Sequence, residues 1–289
     1  MWQTVGRGLA VLGAGVVVGS FAGDLHPIGD SLAVFRAVWI AGTLAICAFI
    51  WRSRTARVAA LVCGVAAAVS VFSAWNWTGP EGSVALTVYQ KNMKFRPADR
   101  TDFIADVLAQ DVDIVTLQEV SRANQPVLEA LRAAFPYQLL CNGHRVGAVA
   151  ILSKTPLTGT TCGTQPGFAR AATDVNGTPV QVVSLHLHWP WPYNQARHVA
   201  DLLPDLAPLE DGPTVVGGDF NMVADGRSVA AIERATGTAR VGPRVATFEL
   251  YGFPLGIDHV LATGGLGVLS ARPLLGADHY GLVARIAWP

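Results

Sequence analysis

Thr214-Val215-Val216-Gly217-Gly218-Asp219-Phe220-Asn221 is an apolar run that ends in two glycines, a carboxylate and, one residue on, a carboxamide. β-Branched residues bounded by glycine read as a buried strand, with the polar residues standing at its end. Period-2 geometry would send Asp219 and Asn221 to the same side. A strand is therefore expected over residues 214–219, opening onto a polar cavity.

Polar groups close other apolar runs in the same way. Asn92 ends the run 88–92, Glu119 lies near the end of 114–120, and His186 lies near the end of 182–187. Asp258-His259 falls within 257–260, and Asp278-His279 precedes the last apolar run. Further strand-like runs over 137–141, 147–152, 157–162, 169–175, 180–188, 257–261 and 282–287 are interleaved with amphipathic stretches over 99–110, 125–134 and 194–203. Strands alternating with helices imply a layered α/β domain. Taken singly, each polar residue has a plainer reading, since Asp and Asn cap turns and a histidine in a strand is usually a packed side chain.

In this order the motifs resemble the endonuclease/exonuclease/phosphatase superfamily, which includes pancreatic-type DNases, abasic-site endonucleases, sphingomyelinases and inositol polyphosphate phosphatases. The resemblance runs from residue 84 to residue 286. It implies a four-layer αββα sandwich of the DNase-like type, with a site at one end of two packed sheets, and hydrolysis of a phosphoester. By resemblance, Glu119 is the principal metal ligand, Asn92 helps to hold metal or phosphate, and Asp278 faces the metal or the nucleophile. Asp219 would position and deprotonate a water, with Asn221 orienting both. His279, partnered by Asp258, would stand beside the phosphate, His186 would protonate the leaving group, and Arg170 would contact the phosphate. Oxygen ligands suit a hard cation, Mg²⁺ first and Mn²⁺ second. No Cys or His cluster supports zinc.

The N-terminal quarter has a different character. The chain has 289 residues, of which 51% are hydrophobic and 15% charged, with mean hydropathy +0.36, too apolar for a soluble enzyme throughout. The excess lies in residues 9–21, 32–51 and 58–75, where Arg36 is the one charged residue. These read as about three membrane spans; a signal peptide competes for the first and buried soluble helices for the others. The loop 52–57 carries Arg52, Arg54 and Arg57, whereas 23–30 carries Asp24 and Asp30. Retention of basic loops in the cytoplasm puts the N-terminus inside. The expected organisation is a membrane anchor over 1–76, a linker over 77–83 and a catalytic domain over 84–289, placed extracytoplasmically on a multi-pass cell-membrane protein.

From residue 79 onward there are 16 Lys and Arg against 19 Asp and Glu, a net charge of −3. A nonspecific nuclease carries a basic stripe along the phosphate backbone, so nucleic acid is disfavoured as a partner. A lipid-linked or small soluble ester ranks above it, with an extracellular nuclease and a non-catalytic membrane binding protein as alternatives. Trp189 and Trp191, in the Pro-rich segment after His186, either touch lipid or pack on the following helix. Cys141 and Cys162 either pair or stay as buried thiols; spacing alone decides neither question.

Overall fold

Runs of Val, Ile and Leu with glycine at their ends give the strands expected, and the strand over Thr214–Asp219 has the bounds read from the sequence. The computed structural model describes residues 2–75, 83–206 and 212–288. The linker expected over 77–83 lies, apart from Ser83, outside the described residues. The chain forms two compact units, the first comprising Met1–Asn76 with the short segments Pro190–Tyr193 and Asp225–Arg227, and the second the remainder.

In the first unit, α1 (Trp2–Gly19), α2 (Ile28–Val34), α3 (Arg36–Phe49) and α4 (Arg54–Trp75) follow one another. Small residues make much of its interior, with Ala10, Cys47, Ala56, Ala59, Cys63 and Ala66 buried beside Val17 and Ile40. Large apolar side chains face outward, among them Leu12 at 65%, Leu61 at 67% and Phe72 at 70% exposure. Arg36 is tolerated in its apolar run because its guanidinium is used up: Nε donates to Ser20 Oγ at 2.9 Å, Nη2 to the Ser20 carbonyl at 2.6 Å and Nη1 to Asp225 Oδ2 at 3.1 Å.

Of the three expected spans, one is met by a single helix and a second by a bent pair. Among the described residues only the stretch Arg54–Ser73 is by itself long and apolar enough to cross a membrane. The second apolar run is broken at Phe35, where α2 and α3 meet at 74°, and qualifies only as a bent pair. In α1, Gln3, Arg7 and repeated glycines dilute the apolar character.

In the second unit, β1 (Leu86–Asn92), α5 (Thr101–Ala109), β2 (Ile114–Val120), α6 (Gln125–Ala130), β3 (Tyr137–His144) and β4 (Gly147–Ser153) come first. Then follow β5 (Leu157–Thr161), β6 (Phe168–Val175), β7 (Thr178–His186), α7 (Gln195–Leu206), β8 (Thr214–Asp219) and α8 (Arg227–Thr236). The chain ends with β9 (Thr238–Arg240), β10 (Phe248–Leu250), β11 (Phe253–Leu255), β12 (Asp258–Thr263), β13 (Gly267–Arg272) and β14 (Gly281–Ile286). Two six-stranded sheets form, in the orders β13-β14-β1-β2-β4-β3 and β5-β6-β7-β8-β12-β9, with β10 and β11 as a separate hairpin.

Alternation along the strands packs the sheets face to face. Leu86, Val88, Ile114 and Ile151 from one sheet and Ala169, Ala171, Val182, Val215 and Val260 from the other share a core. On the outer face of the first sheet, Phe103 and Val107 of α5, Val127 of α6 and Leu131 just past it pack on Tyr89, Val115 and Leu117. On that of the second lies α7, whose Asp205 carbonyl accepts from Arg170 Nη1 at 3.2 Å. The unit is thus mixed α/β, with helices outside two packed sheets. Cys141 of β3 and Cys162, just past β5, are joined in a disulfide with Cα atoms 5.1 Å apart, which ties the edge strands of the two sheets together.

Candidate active site

Register places most of the candidate residues. In the second sheet His186 pairs with Asp219, and Asp219 with Asp258, so three neighbouring strands β7, β8 and β12 deliver a histidine and two carboxylates in a row. In the first sheet Asn92 pairs with Gln118, which puts Glu119 beside Asn92. The glycines before Asp219 are there for space. A Cβ on Gly217 would lie 2.2 Å from Thr116 Oγ1 of the facing sheet, and one on Gly218 2.3 Å from the Leu185 carbonyl. The sheets therefore close tightly just below the cluster, and Asn92 Nδ2 reaches across to Asp219 Oδ2 at 2.9 Å.

Glu119 sits where the pairing of β2 with β4 shifts register, in the left-handed region at φ +55°. Its Oε2 accepts from the Phe95 N–H at 2.6 Å, and its Oε1 from Asn92 Nδ2 at 3.3 Å. The Asn92 oxygen is already taken by the Lys94 N–H at 2.9 Å, so Asn92 presents its amide hydrogens, not its oxygen, to the two acids. Burial pushes both the Glu119 and the Asp219 carboxyls up from their ordinary range, against the lowering effect of their hydrogen bonds and of His279.

Asn221 reaches the site by a route other than strand alternation. The strand stops at Asp219, and Asn221 lies in the left-handed region at φ +47°. Its N–H donates to Asp219 Oδ1 at 2.8 Å while its side chain donates to the Leu187 carbonyl at 2.8 Å. The short polar turn, rather than the period of two, brings it to Asp219.

His279 comes from the loop before β14. Its Nδ1 is 2.8 Å from Asp258 Oδ2, its Nε2 is 3.9 Å from Asp219 Oδ2, and its ring lies against Phe248 with centroids 4.7 Å apart. Burial alone would lower its pKa, but Asp258 and then Asp219 override that and raise it to about 9. His279 is therefore an imidazolium at neutral pH. His186 Nε2 approaches Asp219 Oδ2 at 3.5 Å and Glu119 Oε1 at 4.0 Å.

Two candidates are placed differently. Arg170 is not brought to the cluster: Ala169 and Ala171 point into the core between the sheets, so alternation turns Arg170 to the opposite, helix-covered face. Asp278 stands at the mouth, 43% exposed, with Oδ2 3.4 Å from Lys94 Nζ. Trp189 packs edge-on against Phe248 at 6.0 Å, while Trp191 is 47% exposed and Tyr193 67%.

The sequence reading missed the layer that holds the cluster. Gln90 Nε2 donates to Gln118 Oε1 at 2.7 Å and to Asp258 Oδ1 at 3.2 Å, which leaves Asp258 Oδ2 for His279. Lys91 is buried, and its ammonium donates to the carbonyls of Pro273, Leu274 and His279 at 3.1, 2.8 and 2.6 Å, fixing the loop that carries His279. A polar pair inside an otherwise apolar strand, Gln90-Lys91, was the available signal.

The donor set fits a hard divalent cation. Asp219, Asp258 and His279 offer ligand atoms within 4.8 Å of one another, but His279 is bonded to Asp258 and cationic, so it is a poor ligand as it stands. Glu119 and Asp219 are oxygen donors whose negative charge burial disfavours, and the fully buried Gln90 Oε1 has no hydrogen-bond partner. A cation beside Glu119 and Asp219 would offset the negative charge that burial disfavours.

A profile of the Endonuclease/Exonuclease/phosphatase family matches residues 90–284. No curated protein sequence matches the chain. Among solved structures, an AP endonuclease from Archaeoglobus fulgidus aligns with TM-score 0.55 and 18% identity over 69% of this chain and 98% of its own. A beta toxin variant from Staphylococcus aureus with bound magnesium ions aligns with TM-score 0.53 and 15% identity over 70% and 100% of the two chains. Sphingomyelinase C from Streptomyces griseocarneus gives 0.51 and 18% over 70% and 99%. At these identities the likeness is one of fold.

Proposed function

The chain belongs to the Endonuclease/Exonuclease/phosphatase family, and from that membership we propose that it is a membrane-anchored, extracytoplasmic, Mg²⁺-dependent phosphoester hydrolase. The observation that carries this reading is the convergence of Asn92, Glu119, His186, Asp219 and the Asp258–His279 pair on one end of both sheets.

Asp219, held through Oδ1 by the Asn221 N–H, takes the proton from an attacking water. The His279 imidazolium, oriented by Asp258, stabilises charge that develops on the phosphoryl group. His186 gives a proton to the departing oxygen through Nε2, which already faces the acids. Glu119 would hold the cation, which when bound would supply neutralisation of charge on the phosphoryl oxygens. Asn92 ties Glu119 to Asp219 and fixes their separation.

Support for the anchor is the outward apolar face of the first unit, since soluble proteins rarely expose such a surface. Residues 1–76 are then the anchor, 77–83 the linker and 84–289 the catalytic domain. The basic loop 52–57 favours an inside N-terminus, and the Cys141–Cys162 disulfide favours an oxidising compartment for the catalytic domain. The net charge of −3 from residue 79 onward favours a lipid-linked or small soluble ester over nucleic acid.

The test is turnover by the full chain in detergent, with Mg²⁺ or Mn²⁺, on bis-p-nitrophenyl phosphate, phospholipid vesicles and duplex and single-stranded DNA, with Asp219→Ala alongside. Metal-dependent turnover lost in the variant is expected. A DNA preference that falls steeply with salt would replace the ester reading with a nuclease. No turnover on any substrate by a folded protein would refute both.

A further inference from the structure

The cation expected from Arg170 is turned away from the cluster, and we propose that Lys94 supplies it, with its ammonium contacting a phosphoryl oxygen of the substrate. This rests on the hydrolase reading and adds a substrate-binding residue to it.

Lys94 lies two residues past Asn92 and adopts φ +58°, a conformation that only glycine and a few short polar residues enter readily. Its surroundings enforce that geometry. The Lys94 N–H donates to Asn92 Oδ1 at 2.9 Å, and its carbonyl accepts from Asn124 Nδ2 at 2.8 Å and Arg100 Nη2 at 3.0 Å. The next N–H, from Phe95, is bonded to Glu119. Strained backbone that its neighbours over-determine is found where a side chain must be aimed. Two of these partners, Asn92 on Lys94 and Glu119 on Phe95, are site residues.

The side chain is aimed at the mouth of the cluster. Lys94 Nζ is 3.4 Å from Asp278 Oδ2, and the two side chains are 33% and 43% exposed. Asp278 stands over the same cluster, its charge acting on both Glu119 and His279. An ion pair this exposed is worth little, so an arriving phosphate can take the place of the Asp278 carboxylate on the ammonium. The neighbouring cations are committed elsewhere. Lys91 is buried on three carbonyls, Arg100 is buried on the Met93 and Lys94 carbonyls and Asn124, and Arg96 lies over the Phe95 ring. A lysine binds phosphate as a point charge and needs no fork geometry, which suits a group whose orientation changes during reaction.

The experiment compares wild type, Lys94→Gln, Lys94→Arg and Lys94→Asn in the full chain. Turnover of bis-p-nitrophenyl phosphate and binding of inorganic phosphate, followed by ³¹P NMR titration in the presence of Mg²⁺, are both read. Lys94→Asn keeps a residue at ease in the left-handed region, which separates loss of charge from relief of strain. Lys94→Gln and Lys94→Asn should both lose about 100-fold in kcat/KM and at least about tenfold in phosphate affinity, and Lys94→Arg should stay within about fivefold. Phosphate affinity equal in wild type and both neutral variants, or binding absent from all four proteins, overturns the assignment. If wild type binds phosphate through Lys94 yet turns nothing over, the hydrolase reading fails while Lys94 keeps its phosphate.

Discussion

The two units of this chain sort the same residue types in opposite ways. In the second, Val, Leu and Ile fill the space between the sheets, and the charged groups Asp219, Asp258 and His279 are buried at the sheet ends. In the first, alanine and cysteine predominate inside, with Val17 and Ile40, while Leu12, Leu61 and Phe72 face out. A protein in water gains by burying large apolar side chains, whereas helices in lipid gain nothing from it and pack through small residues. The contrast is what the proposed anchor calls for, and the charged groups buried in the second unit include those to which the proposed chemistry gives a use.

The largest effect expected is at those charges. Replacing His279 by Ala removes the one imidazolium that Asp258 holds in place, and kcat should fall by about 10³-fold with KM changed far less. Steady-state kinetics at saturating Mg²⁺ decides it. A loss under tenfold would mean that the buried pair is structural only, and the contrast between the units would lose its functional half.

Next is the pH dependence of the same pair. The folded-state pKa of His279 is raised from 6.5 to about 9. The stability it contributes is therefore fully present below pH 6.5 and is lost as pH rises through 9. The amount is about 3 kcal/mol. Urea unfolding of wild type and Asp258→Asn between these limits should show the wild type losing stability with pH and the variant, which keeps Asp219, losing less.

A comparable effect is expected in the first unit for the opposite reason. Leu61 is 67% exposed, so in water Leu61→Arg would change stability by less than about 0.5 kcal/mol. Within a bilayer the same change costs about 2.5 to 3.5 kcal/mol of insertion. Membrane fractionation of the expressed variant separates the two.

The smallest effect is at Arg170. Because it bonds the Asp205 carbonyl on the helix-covered face, Arg170→Ala should leave kcat/KM within about threefold and cost about 1 kcal/mol of stability. A hundredfold loss of activity would restore it to the site.

The physical reasons some of this was legible are local. Asn92, Glu119, His186 and Asp219 stand near the last residue of an apolar strand run and Asp258 at the first residue of one, so the pattern flags them as polar interruptions, the family resemblance supplies their roles, and register brings them together. Arg170 was misplaced because a motif position carries no facing, although the alanines on either side of it mark the inward face of β6. The break at Phe35 was hidden because hydropathy does not register a change of direction. The Gln90–Gln118–Asp258 contacts join residues from three strands in two sheets, a relation no single run contains. Phe248 of the small hairpin, which lies against His279, sits in a stretch with no strong period of its own.

The central claim is that the paired sheet ends form a hydrolytic site that needs a hard cation at Glu119. Its most direct measurement is turnover of bis-p-nitrophenyl phosphate by the full chain, titrated with Mg²⁺ after chelation, for wild type and Glu119→Gln. Turnover should disappear with chelation, return with Mg²⁺, and in Glu119→Gln need at least about tenfold more Mg²⁺ or fail to return. Turnover that survives chelation, or a variant with the same Mg²⁺ dependence as wild type, would contradict it.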